Sequence, residues 1–151
     1  MSYGSGPARY ARAGCIGLLL GSLAQAAPLN AAPPPELSAR LECQRRPTPG
    51  RVLCEAEIEL SSGVLRWADV LVVEAPAFAR PLRARVGPSA LFMKTERRQR
   101  LQLALAATDV GEGRLRVRAR AVACPDSTGH DCRPQVREIE ASVAVGPITR
   151  Q

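Results

Sequence analysis

RLRVRARAVAC (114–124) and CRPQVREIEASVAV (132–145) are the two stretches of sequence that decide the fold. In both, apolar residues alternate with charged or polar ones, which is the pattern of a β-strand that buries one face. The segment between them, PDSTGHD (125–131), contains proline and glycine and favours a turn. We therefore predict a hairpin in which Cys124 stands directly opposite Cys132.

Pairing these two cysteines sets a register that places unlike charges, or two apolar residues, opposite each other. The predicted pairs are Arg118 with Glu138, Arg116 with Glu140, Val117 with Ile139, and Leu115 with Ala141. Such directly opposed pairs each stabilise an antiparallel sheet by about 0.2–1 kcal/mol. In the same register, both cysteines are predicted to lie on the outer, charged face of the hairpin, exposed at its tip.

A second pair of cysteines lies in another predicted hairpin, near the other end of the strand-rich region. Alternating apolar residues predict strands in 37–43 and 52–60, and RPTPGR (46–51) between them predicts a turn. A hairpin that tightens at this turn places Cys43 across from Cys54. Both cysteines are in phase with the apolar face, so the predicted bridge is buried and structural.

Four cysteines can pair in three ways. An immunoglobulin-type bridge would join Cys54 to Cys124 with Trp67 packed against it, and the spacing of these residues suits that arrangement. Cys124 is, however, out of phase with the apolar face of its strand. We therefore favour the local bridges Cys43–Cys54 and Cys124–Cys132, each of which closes a loop of about ten residues and stabilises the fold by about 2.5–3 kcal/mol.

Further strands are predicted between the two hairpins. Segments 64–74 and 100–107 are strand-like, and the irregular segment 78–94 has room for one short strand. With the four hairpin strands this makes about seven short strands separated by turns. The predicted fold is therefore all-β: an immunoglobulin-like two-sheet antiparallel sandwich in residues 36–147, with two local disulfides.

The N-terminal region has the order of a secretory signal peptide. A short basic region with Arg9 and Arg12 precedes an apolar run, 13–24, and the small-x-small site AQA (24–26) follows. The apolar run is about a dozen residues long, whereas a membrane-spanning helix needs about 20.

We predict a signal peptide at 1–26, an Ala/Pro-rich extended leader at 27–35 and a short tail at 148–151. An uncleaved membrane anchor is the alternative. After cleavage no stable membrane span is expected, and the predicted location is periplasmic or secreted, where disulfides persist.

The net charge of +7 comes almost entirely from arginine, with Lys94 the only lysine. Surfaces that bind single-stranded nucleic acid place aromatic residues among the basic ones so that bases can stack. No such aromatic residues accompany the arginines here, so a nucleic-acid partner is not expected.

If the protein carries out a reaction, the sequence predicts that it is thiol–disulfide exchange at Cys124 and Cys132. Thiol–disulfide exchange requires an accessible pair with a stabilised thiolate, and the one histidine, His130, lies two residues before Cys132. A metal site made from these residues and Asp131 would need reduced thiols and lacks the C-x-x-C spacing, so no metal or other cofactor is predicted. A Ser-His-Asp hydrolase is not expected, because there is no Gly-x-Ser-x-Gly stretch.

The segment CPDSTGHDCRP (124–134) resembles the active-site hairpin of the N-terminal immunoglobulin-like domain of the DsbD family of thiol:disulfide interchange proteins. The family pattern is a cysteine, a short loop with Asp and Gly, a second cysteine and a proline. Here the loop is two residues longer, and Asp131 and Arg133 replace the flanking aromatic residues. The resemblance implies that Cys124 and Cys132 form a redox pair.

Taken together, the sequence predicts an exported, non-catalytic accessory or binding module whose partner is another envelope or secreted protein. A charged sheet face or the loop tips form the predicted contact surface. The alternative is a periplasmic thiol–disulfide relay domain that uses Cys124 and Cys132.

Overall fold

The computed structural model describes residues 34–147 and consists mainly of antiparallel strands. The predicted signal peptide (1–26), the tail (148–151) and most of the leader (27–35) lie outside the described residues. Within the described part, no helix has the length and apolar character needed to cross a membrane.

Nine strands follow one another within residues 34–147, and one short 3₁₀ turn at Pro88–Ala90 interrupts them. The strands are β1 Leu37–Cys43, β2 Gly50–Leu60, β3 Val64–Glu74, β4 Ala79–Pro81, β5 Arg85–Val86, β6 Leu91–Lys94, β7 Arg98–Ala107, β8 Gly111–Cys124 and β9 Arg133–Val145. The six long strands occupy the predicted segments. The irregular segment 78–94 holds three short strands where one was predicted.

The strands form two antiparallel sheets that pack face to face. The first sheet has the order β1-β2-β7, and β4 and β6 both pair with β7. The second sheet has the order β5-β3-β8-β9. The fold is an immunoglobulin-like two-sheet antiparallel sandwich, as predicted.

The core between the sheets is aliphatic and combines large side chains with small ones. β7 contributes Leu101, Leu103 and Leu105, each at most 2% exposed, while β8 contributes three buried alanines to the same cluster, Ala119, Ala121 and Ala123. Small side chains on one sheet allow the other sheet to approach closely, so a core without a buried aromatic cluster still packs densely.

The edge strands β1 and β9 lie beside each other on one side of the sandwich. At one end of this side, Gln135 accepts a hydrogen bond from the Leu37 N–H (3.0 Å) and donates one to the Pro35 carbonyl (2.6 Å). Arg137 donates to the Leu37 carbonyl at 3.1 Å. Side chains of β9 therefore hold the start of β1 in place.

Backbone groups join the two strands at the other end. The Arg46 N–H donates to the Ala144 carbonyl (3.0 Å), and the Gly146 N–H donates to the Arg46 carbonyl (2.8 Å). Arg46 and Val145 thereby form an isolated parallel bridge. The polypeptide thus enters the sandwich at one end and leaves it at the other.

Gly63, in the turn between β2 and β3, lies against the backbone of Cys124. Its φ is +74°, and a Cβ at this position would lie 2.2 Å from the Cys124 carbonyl oxygen. We expect Gly63→Ala to lower the free energy of unfolding by about 2–3 kcal/mol, because it adds a backbone clash to the cost of a left-handed conformation. Urea denaturation measures the loss.

Gly129→Ala is the matched control for this substitution. Gly129 has a similar φ of +83°, but its Cβ would meet only the Arg66 guanidinium, at 3.4 Å. Its expected cost is about 1 kcal/mol, that of the left-handed conformation alone. Equal losses in the two variants would show that the contact between Gly63 and Cys124 is unimportant.

Candidate functional site: the cysteine hairpin and the outer face of the second sheet

The structure contains the two predicted local disulfides. Cys43 is bonded to Cys54 and Cys124 to Cys132, each with a Cα–Cα distance of 4.0 Å. The immunoglobulin-type bridge between Cys54 and Cys124 is not formed. The predicted registers are also confirmed, since Cys43 pairs with Cys54 across β1 and β2, and β8 pairs with β9 in the register set by Cys124 and Cys132.

The two bridges differ in their surroundings. Cys54 is 1% exposed within the core, and Cys43 packs against the core, so this bridge is buried as predicted. Cys132 is half-buried at the hairpin tip, but Cys124 is 0% exposed. The prediction of an exposed pair is therefore wrong for Cys124: it alternates away from the core, yet the backbone of Gly63 lies against it.

The loop between Cys124 and Cys132 is exposed and ordered by short local contacts. The Asp126 carboxylate accepts hydrogen bonds from the hydroxyl and the backbone N–H of Thr128. These contacts hold the pKa of Asp126 below its ordinary value, and the hydrogen bond from the Thr128 hydroxyl is the largest cause. Arg66 donates to the Ser127 carbonyl and so ties the loop to β3.

The geometry of this hairpin makes the two sulfurs unequal in a thiol exchange. The Cys132 sulfur lies 3.2 Å from the Gly129 carbonyl oxygen and is the accessible member of the pair. His130 is exposed beside it. An incoming thiolate would therefore attack Cys132, and Cys124 would be the leaving thiolate. In the described part of the chain, no three His, Cys, Asp or Glu side chains converge as a metal site would require.

The outer face of the second sheet carries a polar cluster that the sequence analysis did not identify. A β-bulge at Arg66, between Leu65 and Trp67, reverses the alternation of β3. Trp67 and Asp69 consequently point outward, while Ala68 and Val70 point into the core. Simple alternation from Leu65 would have placed these two pairs on the opposite faces.

Asp69 is 0% exposed although it lies on the outer face of the sheet. Arg120, opposite it on β8, donates from Nε to Oδ1 (2.8 Å) and from Nη2 to Oδ2 (2.5 Å). Arg85 on β5 donates to the same carboxylate. Two arginines thus compensate one buried carboxylate, and the hydrogen bond to Asp69 raises the pKa of Arg120 further above its ordinary value.

Trp67 lies close to the same two arginines. The guanidinium carbons of Arg85 and Arg120 are each 5.8 Å from the centroid of its ring. This distance allows a cation–π interaction of each guanidinium with the indole. We call Trp67, Asp69, Arg85 and Arg120 the tryptophan–arginine cluster.

Ion pairs continue along β8 beyond the cluster. Arg118 donates to Glu138 at 2.6 and 3.1 Å, as the predicted register requires. Arg116 stands opposite Glu140 as predicted, but its guanidinium pairs with Glu74 of β3 (2.7 Å). Glu140 instead forms an ion pair with Arg114, at 3.3 Å. These pairs are largely exposed, so each contributes about 0–1 kcal/mol.

We expect Arg118→Gln to raise the pKa of Glu138 towards its ordinary value of 4.5. In the native protein the hydrogen bond from Arg118, followed by its charge, holds this pKa lower. Because the folded pKa is depressed, the stabilisation by Glu138 is present above pH 4.5 and disappears as the pH falls through the folded pKa. NMR titration of the carboxyl carbon measures the change. Arg114→Gln, which removes the partner of Glu140, should leave Glu138 unaffected; an unchanged pKa in Arg118→Gln would contradict the pairing.

The outer face of the first sheet is also charged. Three glutamates of β2 pair with arginines of β7: Arg100 contacts Glu57 (2.5 Å) and Glu55 (3.3 Å), and Arg98 contacts Glu59 (2.9 Å). A shallow depression of about 290 Å³ is lined by five charged residues of β1, β2 and β7: Arg40, Glu42, Glu55, Glu57 and Arg100. Its lining is charged, and it lacks the apolar walls typical of small-molecule sites.

Comparison with known proteins identifies no family for the chain. No family model and no curated protein matches it. Solved structures that resemble it include the Salmonella SafD adhesin (9% identity, TM-score 0.41, covering 74% of this chain and 99% of that one) and the ASH/PapD-like domain 7 of human CEP192 (8% identity, TM-score 0.43, covering 83% and 94%). At this level of similarity neither bears on function. The resemblance of the cysteine hairpin to the DsbD domain remains a prediction.

Proposed function

We propose that this chain is an exported, non-catalytic module that binds another envelope or secreted protein through the outer face of its second sheet. The tryptophan–arginine cluster is the observation that carries this proposal. It combines the two residue types most enriched among the residues that dominate protein–protein binding energy, tryptophan and arginine. Among the described residues no further layer of the fold covers this face.

The cluster is held in place before any partner arrives. Asp69 fixes both guanidinium groups by hydrogen bonds, and each of them lies 5.8 Å from the ring centroid of Trp67. Side chains that are already ordered lose less conformational entropy on binding, so more of the contact energy appears as affinity. The exposed ion pairs along β8 form a polar surrounding of the kind found at interface rims.

Export is supported by the disulfides and by the predicted signal peptide. Bridges of this kind persist in oxidising compartments and are rare in the cytosol. N-terminal sequencing of protein recovered from the periplasm or the medium tests this part of the proposal. We expect the mature chain to begin at Ala27; an intact Met1 in the membrane fraction would indicate an uncleaved anchor.

Site-specific photo-crosslinking in the native host tests the binding face. A photoreactive residue in place of Arg118 on β8 is expected to crosslink to a discrete envelope protein, and the added substitution Trp67→Ala should abolish that product. The same residue in place of Gln102, exposed on the first sheet, is the control. Equal products from both positions, or a product that Trp67→Ala leaves unchanged, would refute this face.

The unequal exposure of Cys132 and Cys124 favours a thiol–disulfide relay as the second candidate. In such a relay a partner dithiol would be oxidised while this bridge is reduced to two thiols. Measurement of the reduction potential decides between the candidates. A potential below about −300 mV would exclude the relay, because such bridges resist physiological reductants.

A further inference from the structure

The outer edge of β1 has free backbone hydrogen-bonding groups. The Gln44 N–H donates to Leu53 and the Ser61 N–H donates to Glu36, so even-numbered residues of this segment bond to β2. Neighbouring residues of an antiparallel strand point their backbone groups to opposite sides. Leu37, Ala39, Leu41 and Cys43 therefore direct their N–H and C=O groups to the outer edge.

β9 packs alongside β1, and among the described residues only the middle of this edge has outward backbone groups without hydrogen-bond partners. Gln135 and Arg137 occupy the groups of Leu37 at one end, and the chain turns towards Ala144 at Arg46 beyond the other end. Among the described residues, none bonds to the outward backbone groups of the segment between, 39–43. The centre of this five-residue window is Leu41.

The charged side chains of the window are incompletely paired. Arg40 and Glu42 alternate with the core-facing residues and are 75% and 74% exposed, with 3.8 Å between their charged atoms. Glu42 stands opposite Glu55 of β2, which is another carboxylate. Like charges directly opposed in a sheet are destabilising. Among the described residues, Glu42 therefore pairs only with the highly exposed Arg40, at the long distance of 3.8 Å.

We propose that two copies of this chain pair through this edge, with β1 antiparallel to β1 of the second copy and the two-fold axis at Leu41. Leu41 then faces Leu41, and Ala39 faces Cys43, so every open N–H and C=O of the window finds a partner. Arg40 of each copy stands opposite Glu42 of the other. The first sheets of the two copies become one continuous sheet.

Charge complementarity selects this register. Hydrogen bonding requires odd-numbered residues to face odd-numbered ones, so neighbouring registers differ by a shift of two residues. A shift one way places Arg40 opposite Arg40, and a shift the other way places Glu42 opposite Glu42. Only the register centred on Leu41 opposes unlike charges, and its centre coincides with the centre of the open window. The inference goes beyond the proposed function and uses a different sheet, so each can fail without the other.

Sedimentation equilibrium of the purified exported protein tests the pairing. We expect a monomer–dimer equilibrium with a dissociation constant in the micromolar range or weaker, because so short an edge buries less than the roughly 1,600 Å² of a standard interface. Arg40→Glu should weaken the dimer at least about tenfold, because two attractive pairs become repulsive. The double variant Arg40→Glu/Glu42→Arg should restore the dimer to within about threefold.

Two further variants keep the test decisive. Arg83→Glu makes the same charge change at an exposed position between β4 and β5 and should leave the equilibrium unchanged. Ala39→Pro removes an open N–H that the monomer does not use and should abolish the dimer while the circular dichroism spectrum stays native. A monomer at about 1 mM, a dimer that Arg40→Glu does not weaken, or a charge swap that fails to restore it would overturn the proposal.

Discussion

Asp69→Ala is expected to lower the free energy of unfolding by about 3 kcal/mol. The carboxylate is 0% exposed and accepts hydrogen bonds from Arg85 and Arg120. Removing one partner of a buried ion pair typically costs about 3–5 kcal/mol, because the remaining charge loses its compensation. The arginine side chains are 57% and 36% exposed, so water partly replaces the carboxylate and keeps the loss near the lower end. Urea denaturation followed by circular dichroism measures it.

Glu74→Ala is the matched control for this prediction. Glu74 also pairs with an arginine of β8, Arg116, at 2.7 Å, but its side chain is 62% exposed. Its removal should cost no more than about 0.5–1 kcal/mol. The fluorescence of Trp67 should change only in Asp69→Ala, because only there do the guanidinium groups beside the indole lose their anchor. Similar losses in the two variants would contradict the importance of burial at Asp69.

Removal of the first bridge by Cys43→Ala/Cys54→Ala is expected to cost about 3–4 kcal/mol. Closing a loop of this length stabilises by about 2.5–3 kcal/mol in the chain-entropy model, and the sulfur of Cys54 is also lost from the core. The Cys124–Cys132 bridge closes a loop of similar length outside the core cluster, so its removal by Cys124→Ala/Cys132→Ala should cost about 2.5 kcal/mol. Denaturant unfolding of both double variants measures the order; a larger loss for the second bridge would contradict it.

The register of both hairpins could be predicted from the sequence. The side chains of a strand alternate with a period of two, so one assumed pair fixes every other pair in the hairpin. Cys124 opposite Cys132 implied Arg118 opposite Glu138, and the structure has both. Local disulfides followed from the same phase, because Cys124 faces away from the core that Cys54 enters.

The tryptophan–arginine cluster could not be predicted in the same way. A bulge adds one residue to a strand and inverts the alternation beyond it. The alternation of side chains does not show where the extra residue lies. The bulge at Arg66, and with it the outward position of Trp67 and Asp69, therefore could not be predicted. Asp69 itself was the available indication, since a carboxylate within the apolar run 67–73 demands a partner that only another strand can supply.

Side-chain choices along β8 were also beyond the sequence pattern. Arg116 stands opposite Glu140 but forms its ion pair with Glu74, because a central strand has neighbours on both sides and a long arginine side chain reaches either. Register identifies which backbones are adjacent. It does not decide which of two opposed carboxylates a flexible cation selects.

Residues 34 and 147, the limits of the described part of the chain, lie at opposite ends of the sandwich, and this has a mechanical consequence. Residue 34 lies beside the start of β9, and residue 147 lies beyond its end, so tension between the ends runs along the strands. Such a pull loads the hydrogen bonds of β1 and β9 in shear, so many of them must break at the same time. The two disulfides, which span 11 and 8 residues, also withhold together about 60 Å of extended chain from stretching. A domain built in this way resists extension while it is oxidised and lengthens under load once its bridges are reduced.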